Sequence, residues 1–374
     1  MHIKFKKPEE VDIVILDSNG EYLFTNHVID KRYTCKVVES EVNIFFITPS
    51  MIWRLIKNII KIKNKEKNIL SYLYKIYLLS TINLYNPKIV ITFIDNNLLY
   101  HWLIRNDSSM RYMAIQNGIR QKFEFDMSRK ISPEEINHDY YFCFGNYDID
   151  FHKKMGFHIN KAFPCGSLRL GISQLKFKDI SKKYDICLLS NYKSKYKIQK
   201  FKFRKEMSEN NMLLDKYLKD YCQNNDKSIV IAIRSKSDEE INYYKSIFGN
   251  DVNLTTGQVQ SYSSYKASGE SKVTVAYQST LLLEMLAIKN KVLHIDFTDN
   301  KNLFDYDPPI KYKFISYNDM QDKINAIYNM NIDDYIKMTK NQQEYVMNYN
   351  SDNPPHKVIN NQINSIMNTK NYVS

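Results

Sequence analysis

Residues 276–296 read AYQSTLLLEMLAIKNKVLHID, and this stretch decides how the rest of the chain is read. Its apolar start breaks at Gln278-Ser279-Thr280, an apolar block containing Glu284 follows, and a short polar turn leads into Val292–Ile295. That is strand, tight turn, helix, strand, the unit from which parallel sheets are built. A Ser-Thr pair at the helix start places hydroxyls beside backbone N–H groups that have no intrahelical partner, which makes a ready anion site. Glu284, within the first two turns, can reach a ribose hydroxyl. Two plainer readings stand beside these. Ser and Thr cap helices with no ligand present, and an acid near a helix N-terminus is favoured by the macrodipole.

The same rhythm continues outward from this stretch. Ile186–Leu189, Ile229–Ile233 and Val273–Ala276 read as strands, with a long helical block over 200–224. Earlier in the chain, Val11–Leu16, Asn43–Thr48, Ile89–Ile94, Tyr112–Ile115, Tyr140–Phe144 and Lys161–Cys165 read as strands. Helices are expected over Met51–Ile62 and Leu70–Leu84, with another ending near Arg105. Short apolar runs alternating with helical patterns predict parallel sheets covered on both faces. A length of 374 residues suits two domains, and the rhythm restarts after the basic stretch Lys176–Lys183. The expected fold is therefore α/β, with two Rossmann-like domains whose parallel sheets face each other across a cleft. Residues 1–170 form the first domain and 171–345 the second. Residues 346–374 carry an amphipathic helix, Lys357–Met367, behind Pro354-Pro355.

Ligands of open parallel sheets bind beyond the C-terminal ends of the strands, and the residues expected there are polar. They are Asp17 and Asn19 with Gly20, Asp95-Asn96-Asn97, Gln116-Asn117-Gly118 with Arg120, and Ser167 with Arg169. In the second half they are Ser190, Arg234 and Gln278-Ser279-Thr280. Each alone can be a turn or a cap. Asp95 leads: a carboxylate at the end of a buried strand can act as general base toward a hydroxyl, attack an anomeric carbon, or merely cap the next helix. Asp17 has the same alternatives. Gln116, Asn117, Gly118 and Arg120 offer amide donors, a flexible turn and a fixed cation, which suit a carboxylate or phosphate. Asn19, Asn96, Ser167 and Arg169 complete the substrate-facing set. Ser190, Arg234, Gln278, Ser279, Thr280 and Glu284 form the nucleotide-facing one.

Other chemistries are not supported. The chain has no GxxxxGK[ST], GxGxxG or GxSxG, and no HExxH. Asp148-Ile149-Asp150 follows Gly145-Asn146-Tyr147 and reads as the start of a helix carrying His152, Lys153 and Lys154, so no metal is expected. Five cysteines with no CxxC read as buried thiols of a reducing compartment. The N-terminus shows no apolar signal region, and Val42–Ile62 is broken by Pro49, Arg54, Lys57 and Lys61, too interrupted to span a membrane. A cytoplasmic protein follows. The net charge of +12 is scattered, densest over Lys57–Lys67. A solvated face is the first reading, and affinity for an anionic membrane surface or an acidic polymer is the second. Nucleic acid is not an expected partner, because aromatic and basic residues do not interleave in a recognisable motif.

Six segments, ILDSNG, TFIDNN, IQNGIRQ, YYFCFGNYD, FPCGSLRLG and the opening stretch, span about residues 11–296. In order and spacing they resemble the surface carbohydrate (surface polysaccharide) biosynthesis proteins of bacteria. The resemblance implies a metal-independent GT-B glycosyltransferase without a bound cofactor. Its co-substrate is a nucleotide-sugar donor, and its acceptor is a glycan or lipid-linked glycan. It also implies that the C-terminal helix crosses back to the first domain. The chain is similar, more loosely, to retaining Kdo transferases of capsule and O-antigen assembly, which implies a CMP-activated keto-acid donor and an Asp nucleophile. It departs from better-known GT-B enzymes in lacking a Gly-rich loop, in whose place Gln278-Ser279-Thr280 stands. A CDP-polyol phosphotransferase or nucleotide-sugar epimerase on the same fold is the alternative, with catalytic His expected near strand ends. A non-enzymatic glycan or nucleic-acid binder is the third.

Overall fold

A computed structural model describes residues 2–41, 44–62, 68–120, 132–177, 180–193, 202–234, 237–255, 261–277, 279–297, 311–313 and 316–369. The chain divides into two compact units. One comprises Met1–Ile119, Arg129–Ile172 and Tyr349–Ser374; the other comprises Arg120–Ser128 and Ser173–Asn348. Gln278 and residues 63–67 of the basic run lie outside the described residues.

The first unit is built on β2 (Ile13–Leu16), β3 (Cys35–Val38), β5 (Ile89–Thr92), β6 (Arg111–Ile115), β7 (Asn137–Cys143) and β8 (His158–Pro164). All neighbours are parallel, in the order β3-β2-β5-β6-β7-β8. Every residue of β2 and β5 is buried, as expected of strands covered on both faces, and this is why they read as unbroken apolar runs. β1 (His2–Lys4) and β4 (Ile44–Phe46) form a separate parallel pair. The helices are α1 (Glu21–His27), α2 (Pro49–Lys61), α3 (Ile69–Tyr85), α4 (Leu98–Asn106), α5 (Asn146–Lys154) and α6 (Leu168–Lys176), which leads out of the unit. α3 buries Ile76, Leu78, Leu79, Ile82 and Leu84, and α2 packs on it through a buried bond from Asn58 Nδ2 to Ser80 Oγ, 2.9 Å.

The second unit repeats the plan with β9 (Tyr184–Leu189), β10 (Ile229–Ala232), β11 (Asn253–Leu254), β12 (Ser271–Ala276), β13 (Lys291–Asp296) and β14 (Lys311–Lys313). These are again all parallel, in the order β11-β10-β9-β12-β13-β14. Its helices are α7 (Lys202–Asn224), α8 (Asp238–Phe248), α9 (Ser263–Gly269), α10 (Thr280–Ala287), α11 (Tyr317–Asn329) and α12 (Ile332–Val346). The last helix, α13 (Pro355–Asn368), belongs to the first unit. It buries Ile359 and Ile363, and Asn360 Nδ2 donates to the Val28 carbonyl at 2.7 Å. Asn364 Oδ1 accepts from Arg32 Nη2 at 2.7 Å and from Tyr33 Oη at 3.0 Å.

Candidate functional site

Each sheet has one place where strand order reverses, and ligands of such sheets bind beyond the strand ends there. In the first unit it lies between β2 and β5, where Leu16 pairs with Thr92. Asp17 immediately follows β2, and Asp95 follows β5 by three residues. In the second unit it lies between β9 and β12. Ser190 follows β9, and Ser279-Thr280 follow β12 across the start of α10. The topology therefore places both candidate catalytic carboxylates at one reversal and the candidate anion site at the other.

Asp17 is buried and holds φ 68°, a backbone conformation uncommon for a residue with a side chain. Its carboxylate ties three segments together. Oδ1 accepts from the Ser40 N–H at 2.7 Å, beyond β3. Oδ2 accepts from Asn97 Nδ2 at 3.2 Å, ahead of α4. Gly20, in the turn after Asp17, allows that turn to approach β5: an added Cβ would lie 2.7 Å from Phe93 Cβ. The cap of α4, one of the three roles open to Asp95, is made instead by Asn97, whose Oδ1 accepts from Leu99 N at 2.9 Å. Asp95 is thus released from capping. It is buried, and its Oδ1 accepts from the Asn117 N–H at 3.4 Å, bridging the ends of β5 and β6. His101 lies within electrostatic reach of it. Burial lowers the His101 pKa to about 4, against the opposing influence of the Asn137 carbonyl and Asp95, so the ring is neutral at pH 7.

The remaining first-unit candidates divide by what they touch. The buried Gln116 amide is committed to the protein: Nε2 donates to Asp148 Oδ1 at 2.6 Å and to the Gly118 carbonyl at 3.0 Å, and Oε1 accepts from Phe144 N at 2.9 Å. Asp148 begins α5, as its sequence setting predicts, and its Oδ2 accepts from Gly145 N at 3.3 Å. Gln116 and Asp148 together fix the ends of β6 and β7. Ser167 Oγ accepts from Leu170 N at 3.4 Å at the start of α6. The Arg169 guanidinium lies 5.1 Å from the Phe93 ring centre, which draws a cation toward the end of β5. Asn19 is exposed and Asn96 is half-buried. Asn96 and Asn97 line a shallow depression of about 490 Å³ with Tyr74, Lys75 and Leu99. Gly118 is half-buried, and Arg120 is buried and groups with the second unit.

In the second unit Ser279 occupies the N-cap of α10, yet its side chain makes no capping bond. The plainer role that the sequence also allowed, a side-chain cap, is therefore not taken up by this hydroxyl. Thr280 is the first residue of the helix and is half-buried. Glu284 is buried on α10, where its Oε2 accepts from the Tyr265 hydroxyl at 2.7 Å. Arg234 has an exposed side chain. Its backbone N–H donates to Glu240 Oε1 at 3.1 Å, and Ser190 Oγ donates to the same oxygen in a short bond. Glu240, buried in the first turn of α8, therefore joins the ends of β9 and β10. Sequence reasoning passed over it, although Ser237 and Glu240 carry capping-box spacing and Ser237 Oγ does accept from Glu240 N at 3.3 Å.

Among the described residues no group of three or more His, Cys, Asp or Glu side chains is arranged to hold a metal. No described helix is long and apolar enough to cross a membrane. All five cysteines are free thiols, and burial pushes them up, to about 11 at Cys35 and about 12 at Cys165 and Cys187.

Comparisons with known proteins bear on this geometry. The model of a family described as "putative O-antigen biosynthesis protein" matches residues 113–364. No curated protein matches the sequence. A glycosyltransferase from Rickettsia africae ESF-5 superposes with a TM-score of 0.51 at 12% identity, covering 96% of this chain and 100% of that one. UDP-GlcNAc 2-epimerase from Neisseria meningitidis, bound to UDP-GlcNAc, gives 0.52 at 11% identity over 99% and 100%. The wall teichoic acid polymerase TagF, soaked with CDPG, gives 0.52 at 11% identity over 95% and 88%. At these identities the likeness is one of fold: a GT-B arrangement of two parallel-sheet α/β units.

Proposed function

The chain belongs to this O-antigen biosynthesis family, and from that premise we propose that it is a glycosyltransferase. It moves a sugar from a nucleotide-sugar donor onto a cell-surface polysaccharide or lipid-linked glycan. The observation that carries the reading is Asp95, buried at the strand-order reversal, held by the Asn117 N–H and freed from helix capping by Asn97. Such a carboxylate is rigidly placed to take a proton from an acceptor hydroxyl, or to attack an anomeric carbon in a retaining displacement. Asp17 and Gln116 position it, the first through Asn97 and the second through the β6–β7 ends. Asn19, Asn96, Ser167, Arg169 and Arg120 are proposed to meet sugar or acceptor. Ser279 and Thr280 receive the donor phosphate at the start of α10, with Ser190, Arg234, Gln278 and Glu284 completing the nucleotide site. A CMP-activated Kdo or nonulosonic acid fits a site supplied with arginines, because its carboxylate needs a cation.

Asp95→Asn tests the reading: transfer is lost while nucleotide binding persists, and wild-type turnover by the variant sinks the assignment. A thermal-shift screen of CMP, CDP, UDP, GDP and TDP identifies the donor class, because a ligand that binds only the folded protein raises its stability. The fold is shared with an epimerase and a teichoic acid polymerase, so epimerisation or polyol-phosphate transfer is the second reading. His138 and His294 lie within strands and are buried, which disfavours it. Product formed from a CDP-polyol but not from a CMP-sugar would establish it.

A further inference from the structure

Helix α2 presents three different faces to its surroundings. At roughly 100° per residue, Met51, Asn58 and the C-cap Ile62 fall together on the side turned to the core, and all are buried. Next around the helix come Ile59, Ile52, Ile56, Ile60 and Trp53, an unbroken apolar sector about 120° wide. All five are exposed, Ile60 by 78% and Trp53 by 67%. Lys57, Lys61 and Arg54 fill the remainder. An amphipathic helix normally buries its apolar face; α2 already buries one face on α3 and keeps a second apolar face in water.

The start of α3 enlarges this surface. The Tyr72 hydroxyl donates to the Ile62 carbonyl at 2.8 Å, so the first turns of α3 lie beside the last turn of α2. There Ile69, Leu70, Leu73 and Tyr74 are exposed, Leu70 by 72%. Exposed apolar residues scattered singly need no explanation, but a contiguous patch rimmed by charge marks an interaction surface. The rim here is basic. Arg54, Lys57 and Lys61 also line a recess of about 250 Å³ with Asn83, Asn86 and the carboxylate of Asp107.

We propose that the α2–α3 hairpin is a docking surface for an anionic phospholipid bilayer. Its apolar sector enters the acyl boundary, and Lys57, Lys61 and Arg54 meet lipid phosphates. Two observations select a membrane over another occupant. The basic sector complements an anionic surface, whereas a second copy of the chain would set the same cations against each other. Trp53 stands at the border between the apolar and basic sectors, where the amphipathic indole settles at a membrane–water interface. The surface would bring the first unit to a lipid-linked acceptor, and in that purpose alone it rests on the proposed function. Membrane binding is measured without donor or acceptor, so the two readings can fail separately.

The test is sedimentation of the full chain with vesicles of phosphatidylglycerol and phosphatidylcholine, against vesicles of phosphatidylcholine alone. The wild type is expected to sediment with the anionic vesicles and shift its tryptophan emission to the blue; Trp102, already buried, contributes little to that shift. Ile56→Ser with Ile60→Ser should weaken partitioning at least tenfold. Lys57→Glu with Lys61→Glu should remove the preference for phosphatidylglycerol. All four residues are exposed, and unchanged circular dichroism confirms that the variants fold. Failure of the wild type to sediment overturns the proposal, as does wild-type partitioning by both variants. A dimer in sedimentation velocity that the isoleucine variant dissociates also overturns it, by assigning the face to a second copy.

Discussion

Exchanging Asp17 and Asn97 should restore what either substitution alone removes. Asp17→Asn retains an oxygen for the Ser40 N–H, but it turns an amide N–H2 toward the Asn97 Nδ2, 3.2 Å from the present oxygen. Turning the Asn97 amide over relieves that clash. It also takes the Asn97 oxygen away from the Leu99 N–H, and losing such a cap costs about 1 kcal/mol. The charge assistance lost at the two Asp17 bonds adds about 1 kcal/mol more, so the variant should lose about 2 kcal/mol. Asn97→Asp sets two carboxylates against each other and should lose a similar amount. In the double variant the new amide at position 17 donates to the new carboxylate at position 97, which accepts equally well from Leu99 N because Asp and Asn cap alike. An asparagine at position 17 also tolerates the positive φ. The double variant should lie within about 1 kcal/mol of wild type, a coupling energy of about 3 kcal/mol. Urea unfolding followed by tryptophan emission measures it. Both tryptophans, Trp53 and Trp102, lie in the first unit, and Trp102 is 5% exposed, so the signal reports that unit even if the two unfold separately. Coupling below about 0.5 kcal/mol would refute the reasoning. Recovery of transfer along with stability would make Asp17 a positioning residue.

Glu240→Ala strips the acceptor from Ser190 Oγ and Arg234 N at once. It should destabilise the second unit by about 2–4 kcal/mol and weaken nucleotide binding, while Glu240→Gln, which retains an oxygen, does so less; calorimetry on both variants checks the order. His101 has a folded pKa of about 4, below its unfolded value of about 6.5. Its contribution to stability is complete above pH 6.5 and is lost as pH falls through 4, on the order of 3 kcal/mol in all. His101→Gln should flatten the acid limb of a tryptophan-monitored stability–pH curve. Asp215 behaves oppositely. Burial raises it to about 7, with a hydrogen bond from the Tyr243 hydroxyl opposing, so its contribution is present below pH 4 and lost as pH rises through 7. Asp215→Asn should raise the melting temperature most at pH 8.5, less at pH 5, and leave it nearly unchanged only below about pH 4.

The parts of this protein legible in its sequence are those whose signal is local. β2, β5, β6, β9, β10, β12 and β13 lie inside their sheets, so their apolar runs carry the reading to within two residues. The edge strands β3, β11 and β14 escape it. β3 offers only Val38 to the core, β11 has two residues, and β14 ends its sheet with Lys at both ends. The candidate site divides in the same way. Asp17 and Asp95 are visible because they end apolar runs. The roles of Asn97, Asp148 and Glu240 are not, because their partners are 80, 32 and 50 residues away. Gln116 shows the same limit: its type suggests a ligand-facing amide, and only the fold reveals that Asp148, Phe144 and Gly118 already occupy it.

The placement of α13 has a consequence for synthesis. The first unit includes Tyr349–Ser374, and every residue of the second unit after Ser173 is made before that segment. At about 5–20 residues per second, the first sheet waits on the order of ten seconds or more on the ribosome without its last helix. During that interval the side chains that Ile359 and Ile363 will cover stand open to water. The second unit, nearly contiguous in the chain, can close first. The first part translated is thus among the last completed, and a nascent-chain chaperone has a defined apolar surface to hold in the meantime.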